Sequence, residues 1–159
     1  MSADDQVETT PTPTLRMESH YKMNHPKRGI AVIFDHGYYR NNYVGRRDGT
    51  NIDRRELTKC LENLGFKVKE YLNLNKEEIQ HKLKKVSEMD HTDHDCLVVA
   101  ILTHGGEDNL YAHDRPYKTD TIWPYFTDEK CETLAGKPRI FFIQACRGEE
   151  LDHGISLRE

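Results

Sequence analysis

The chain has 159 residues, enough for one domain with one core. Charged residues make up 31% of it, mixed in sign, and the formal net charge is −4, which argues against nucleic acid or an anionic membrane as the main partner. No apolar stretch approaches membrane-spanning length and the N-terminus lacks an apolar signal core, so a cytoplasmic location is expected.

Residues 1–28 read as a disordered tail, too short to be a recruitment domain; Thr9-Thr10-Pro11-Thr12-Pro13-Thr14 is poor in apolar residues and rich in breakers. Gly29–His36 reads as a buried strand. A polar, glycine-bearing loop follows from Gly37 to about Ile52 and carries Arg46 and Arg47. Asp53 is expected to cap a helix, with Glu56 completing a capping-box-like pair. Leu57, Cys60, Leu61 and Leu64 supply its apolar stripe, and Gly65 ends it. Phe66–Leu72 is a second strand. Asn75 is expected to cap a second helix, whose stripe is Ile79, Leu83, Val86 and Met89. Cys96–Leu102 is a third strand, apolar on both faces. Gly105–Lys118 reads as loop with a small hairpin around Leu110–Ala112. Thr119–Leu134 reads as a helix broken at Pro124, and Arg139–Ala145 is the fourth strand. Apolar strands alternating with helices predict an α/β fold, a mostly parallel sheet with helices on both faces.

In such a sheet, ligands bind beyond the carboxyl ends of the strands. Three places qualify here. The first strand runs into the Arg46–Arg47 loop, the third ends at Thr103-His104-Gly105, and the fourth ends at Gln144-Ala145-Cys146. Parallel strands set these ends on one rim. A cysteine beside a histidine is the minimal thiol-nucleophile pair, because the imidazole accepts the thiol proton and later returns one to the leaving group. Gly105 lets its backbone N–H approach a developing oxyanion, and the N–H of Cys146 is the candidate second donor. Cys60, Cys96 and Cys131 lie on apolar faces and form no Cys-x-x-Cys, so they read as small buried hydrophobes. His91-Thr92-Asp93-His94-Asp95-Cys96 has loose spacing for a metal site and reads as a polar helix-to-strand turn; no metal is expected.

One pentapeptide is more specific than the rest. Gln144-Ala145-Cys146-Arg147-Gly148 follows the apolar run Ile140-Phe141-Phe142-Ile143. With it, in order, stand Tyr21-Lys22-Met23-Asn24, Arg28-Gly29, Arg47-Asp48-Gly49-Thr50-Asn51-Ile52-Asp53, Thr103-His104-Gly105 and Leu134-Ala135-Gly136-Lys137-Pro138. Over about residues 21 to 156 the chain resembles the large subunit of a caspase, and Leu151-Asp152-His153-Gly154-Ile155 is most like the executioner branch. His104-Gly105-Gly106-Glu107 carries one glycine more than the commoner His-Gly-Glu.

The resemblance implies an aspartate-specific cysteine endopeptidase, made as a zymogen and acting in apoptosis. Cys146 would be the nucleophile and His104 the acid/base, with the Gly105 and Cys146 amides as oxyanion hole. Arg47 and Gln144 would line the pocket for a substrate aspartate; Arg46 is a rival by chemistry, out of register with the motif. A guanidinium suits that task, since it forks onto a carboxylate through two charge-assisted hydrogen bonds. Residues 29–159 would be the large-subunit catalytic domain behind a short prodomain-like tail. The sheet of this caspase-like three-layer sandwich would be incomplete without a small subunit, the assembly being a dimer of large–small pairs. Further implied partners are protein substrates with aspartate at the cleaved position and inhibitor-of-apoptosis proteins. No cofactor is implied. Two rival readings are a truncated caspase fragment that binds a relative without catalysis, and a related cysteine peptidase selective for basic residues. The second would need an acidic pocket.

Overall fold

The computed structural model describes residues 20–146, the last of them by its backbone. In chain order its main elements are β1 Lys27–Asp35, α1 Thr50–Asn63, β2 Phe66–Leu72, α2 Lys76–Ser87, β3 His94–His104, β4 Asn109–Tyr111, β5 Pro116–Lys118 and β6 Arg139–Cys146. β1, β2, β3 and β6 form one parallel sheet in the order β2-β1-β3-β6, and β4 pairs with β5 as a separate antiparallel hairpin. The chain is therefore α/β, as its alternating elements predict.

Alternate residues of each strand feed two cores. Ile30, Val32, Phe34, Leu97, Val99 and Ile101 meet Ile79, Leu83 and Val86 of α2. Ala31, Ile33, Val98, Ala100 and Leu102 meet Leu57 and Leu61 of α1. β3, in the interior of the sheet, is buried at every position. Gly29 permits the closest approach in the sheet. Its φ is +129°, and a Cβ there would lie 1.9 Å from the Cys96 carbonyl oxygen, so no other residue fits.

Several boundaries depart from expectation for definable reasons. β1 starts at Lys27, whose N–H bonds the Asp93 carbonyl; Asp95 accepts the His25 N–H at 3.0 Å and pairs with Arg28 at 3.2 Å. Residues 1–19 of the expected tail lie outside the described residues. α1 begins at Thr50 rather than at Asp53, because Gly49, at φ +76°, turns the chain into the helix and its carbonyl accepts the Asp53 N–H. Asp53 sits in the first turn, where a carboxylate suits the helix dipole. The apolar stripe of α1 is narrower than predicted, since Leu61 is buried while Cys60 and Leu64 are exposed. Asn75 occupies the N-cap of α2 but makes no capping bond; Asp114, from the β4–β5 turn, accepts the Lys76 N–H at 2.8 Å instead. β3 runs two residues further at each end than its apolar stretch. The expected broken helix is a series of short 3-10 turns at Thr119–Thr121, Trp123–Phe126 and Glu132–Leu134.

Candidate active site

The β3–β6 ladder pairs Thr103 with Ala145 and His104 with Cys146, so the expected histidine and cysteine backbones are direct neighbours at the carboxyl end of the sheet. The β1–β3 ladder sets Asp35 beside Leu102, which brings the start of the Arg46–Arg47 loop to the same rim. Three separated sequence segments thus converge because parallel strands end together.

His104 is buried, with 7% of its surface exposed. Its Nε2 lies 2.7 Å from the Gly45 carbonyl oxygen, which can only accept, so Nε2 carries the proton. The imidazole stacks on the Tyr39 ring, centroids 5.6 Å apart, and the His104 N–H donates to the Tyr39 hydroxyl at 3.0 Å. The rest of that chain has one direction. Thr103 Oγ1 donates to the Tyr111 carbonyl at 2.6 Å, so the Tyr39 hydroxyl donates to Thr103 Oγ1 at 2.7 Å. Burial pushes the Tyr39 phenol up, and it stays neutral. His36 stacks on the far side of the same cluster, and burial pulls it down to about 4, so it too is neutral at physiological pH.

Gly105 forms a bridge with Leu110, and a Cβ on it would come within 2.7 Å of both Ala145 Cβ and the Asn109 carbonyl oxygen. Packing between β6 and the hairpin therefore requires this glycine. Gly106, the additional glycine, donates its N–H to the Asn109 carbonyl at 3.0 Å.

The two arginines of the loop part company. Arg46 is exposed and Arg47 is buried, 8% exposed. Arg47 donates from Nη1 to the His36 carbonyl at 2.7 Å and to Asp35 Oδ1 at 3.2 Å. Asp35 Oδ2 takes a second guanidinium, Arg54 Nη1, at 3.0 Å. Burial pushes the Asp35 carboxyl up, and the two guanidiniums pull it back. Arg47, Arg54 and Asp35 line a cavity of about 450 Å³ with Gly37, Asn51 and Asn73 among its other walls. Gln144 is exposed on β6, and no hydrogen bond joins it to Arg47 among the described residues. Arg147, Gly148 and the Leu151–Ile155 segment lie outside the described residues.

The structure also adds groups that the sequence does not single out: the Gly45 carbonyl, Tyr39, Asp35 and Arg54. A backbone carbonyl leaves no signature in sequence. Tyr39 stands in an aromatic run, Tyr38-Tyr39, in which only the fold distinguishes the buried ring from its exposed neighbour. The other cysteines divide: Cys96 and Cys131 are buried as expected, and burial pushes both thiols up, whereas Cys60 is exposed. His91 and His94 are bonded to each other through their Nδ1 atoms at 2.9 Å, and His91 Nε2 donates to the Val86 carbonyl at 2.8 Å, so the polar turn between α2 and β3 uses these imidazoles itself.

A parallel sheet that sets a histidine and a cysteine backbone side by side at adjacent strand ends is the placement that a thiol-hydrolase site would need. The model of the caspase domain family matches residues 28–159, and the chain belongs to the caspase family. It is 52% identical over 145 residues to Caspase-1 of Spodoptera frugiperda, covering 91% of this chain and 48% of the relative. It is 41% identical to Caspase drICE of Drosophila melanogaster, covering 91% and 43%, and 42% identical to Caspase-6 of Mus musculus, covering 83% and 48%. The crystal structure of Caspase-1 from Spodoptera frugiperda superposes with a TM-score of 0.82 at 50% identity, covering 94% of this chain and 60% of that one. The chain spans about half the length of the curated relatives it matches.

Proposed function

We propose that residues 29–159 form the catalytic large-subunit part of an executioner-type caspase, an aspartate-specific cysteine endopeptidase of apoptosis. The observation that carries this reading is the register that sets His104 opposite Cys146 at the rim, with the buried cation Arg47 held by the neighbouring strand end.

The chemistry follows from the residues. Cys146 sulfur attacks the carbonyl carbon of the scissile bond. Its thiol proton passes to His104, and the N–H groups of Gly105 and Cys146 receive the developing oxyanion. Because Nε2 is committed to the Gly45 carbonyl, Nδ1 is the nitrogen that exchanges protons with the reaction. The C–N bond breaks as Nδ1 gives its proton to the departing amine. Water then attacks the thioester, losing a proton to Nδ1, and the acid product leaves as Cys146 regains its thiol. Arg47, with Gln144, receives the substrate aspartate. No step calls for a metal or organic cofactor.

The groove is completed, in this reading, by a caspase small subunit docked along β6, in a dimer of large–small pairs. The chain joined to a small subunit of a close relative should cleave peptides after aspartate, and an aspartyl electrophile should label Cys146. Labelling that persists in Cys146→Ala, or equal cleavage after lysine, would sink the assignment. A chain that instead lowers the activity of a complete relative while cleaving nothing would support the decoy reading.

A further inference from the structure

Arg47 does not stand alone in the fold. A row of alternating charges runs from α1 and β2 to the rim: Glu70, Arg54, Asp35, Arg47. Arg54 Nη1 meets Asp35 Oδ2 at 3.0 Å, Arg54 Nε lies 3.6 Å from Glu70 Oε2, and Asp35 Oδ1 meets Arg47 Nη1 at 3.2 Å. The side chains of Arg47 and Asp35 are 5% and 2% exposed, that of Arg54 13%, and that of Glu70 36%. Three of the four charges are thus largely withdrawn from water, where pair interactions are strongest.

We propose that Asp35 and Arg54 act together as positioning residues that aim Arg47 and keep the cluster net positive toward an acidic substrate side chain. This rests on the peptidase reading above. Asp35 fixes Arg47 through a single nitrogen, shared with the His36 carbonyl, which leaves the remaining guanidinium edge for an incoming carboxylate. A buried carboxylate alone would do this at a cost: paired one to one with Arg47, it would cancel the charge that the substrate must meet. Arg54 removes that conflict. With one carboxylate shared between two guanidiniums, the triad keeps a net positive charge, while the solvent-facing Glu70 is screened.

The arrangement predicts a non-additive mutant cycle on the chain joined to its small subunit, measured per titrated active site. Arg54→Met keeps side-chain length and removes the charge. It should raise KM for an aspartate peptide about tenfold, equivalent to about 1.4 kcal/mol, with kcat within about twofold. Arg54→Lys should hold KM within about threefold of the parent. Asp35→Asn combined with Arg54→Met should recover part of the lost affinity, because the unbalanced carboxylate is gone. A purely structural role predicts the reverse, with the double variant worse than either single one. The inference is overturned if folded Arg54→Met keeps the parent KM, or if the double variant binds more weakly than Arg54→Met. Where Arg54→Met melts before assay, Arg54→Gln takes its place in the cycle, and the same two results overturn the inference. A parent enzyme that fails to cleave after aspartate overturns the peptidase reading itself, and this inference with it; a parent that cleaves while the cycle is additive overturns this inference alone.

Discussion

At the scale of single residues, burial separates what chemistry alone leaves open. Arg46 and Arg47 carry the same group one position apart, yet one is in solvent and the other is tied to the strand end. Arg47→Lys should therefore lose at least about tenfold in kcat/KM on aspartate peptides, since an ammonium is a point charge that cannot fork onto Asp35, the His36 carbonyl and a substrate carboxylate together. Arg46→Lys should change little; the opposite ranking in peptide kinetics would place the specificity cation at Arg46. Gly105→Ala is a different kind of lesion. Its new methyl would meet Ala145 Cβ and the Asn109 carbonyl, so it should cost about 1–3 kcal/mol of stability, as overpacking does, and show as a lowered melting temperature in the complex.

Among the elements, the turn between α2 and β3 carries a pH dependence. His91 and His94 both have their pKa lowered, with burial as the main cause, Lys137 adding to it for both, and Asp90 and Asp93 opposing it at His91 and His94 respectively. The folded state binds protons less readily here than the unfolded chain, whose imidazoles titrate near 6.5. The stability these residues confer is present above that pH and falls as pH drops below it, because protonation removes the acceptor nitrogen of His91 and sets two cations side by side. Urea midpoints should thus fall between pH 7 and 5. His91→Gln should flatten that slope in part, since His36 remains and titrates lower still. An unchanged slope would show that the pair does not titrate in this range.

The strands and helices are legible where apolar period and turn chemistry agree. β2 matches its expected limits, while β3 outruns its apolar stretch: its ends are polar, and their burial comes from partners on other segments. Asp95 is held by His25 and Arg28, and Thr103 by Tyr39 and Tyr111. The start of α1 is not legible, because a left-handed Gly49 does the work expected of Asp53. His104 and Cys146 are legible as strand ends on one rim. The groups that orient His104 are not, since Tyr39 and the Gly45 carbonyl reach it only through the folded loop.

For the whole molecule the decisive feature is the edge at β6. Phe141, Ile143 and Ala145 pack into the α2-side core, whereas Ile140 and Phe142, on the other face, are 50% and 49% exposed. Among the described residues no strand pairs with the outer edge of β6, and an apolar edge of that kind is a template for association. Residues 1–159 alone should self-associate in light scattering, and joining a caspase small subunit should give a monodisperse complex. A monodisperse monomer of residues 1–159 would refute this. Ile140→Lys should reduce self-association of the isolated chain and also weaken assembly with the proposed small subunit, if both use the face on which Ile140 is exposed.

The close approach at Gly29 has a consequence for inheritance. Any side chain at that position collides with the Cys96 carbonyl, so a missense change there should leave little folded chain. Such an allele contributes nothing, and a second normal copy should mask it. On the proposed peptidase reading, a change at Cys146 should spare the backbone pairing of β6 with β3 and leave the chain able to join partner subunits in inactive assemblies. The first should then behave as recessive and the second as dominant, although both would remove the cleavage proposed above.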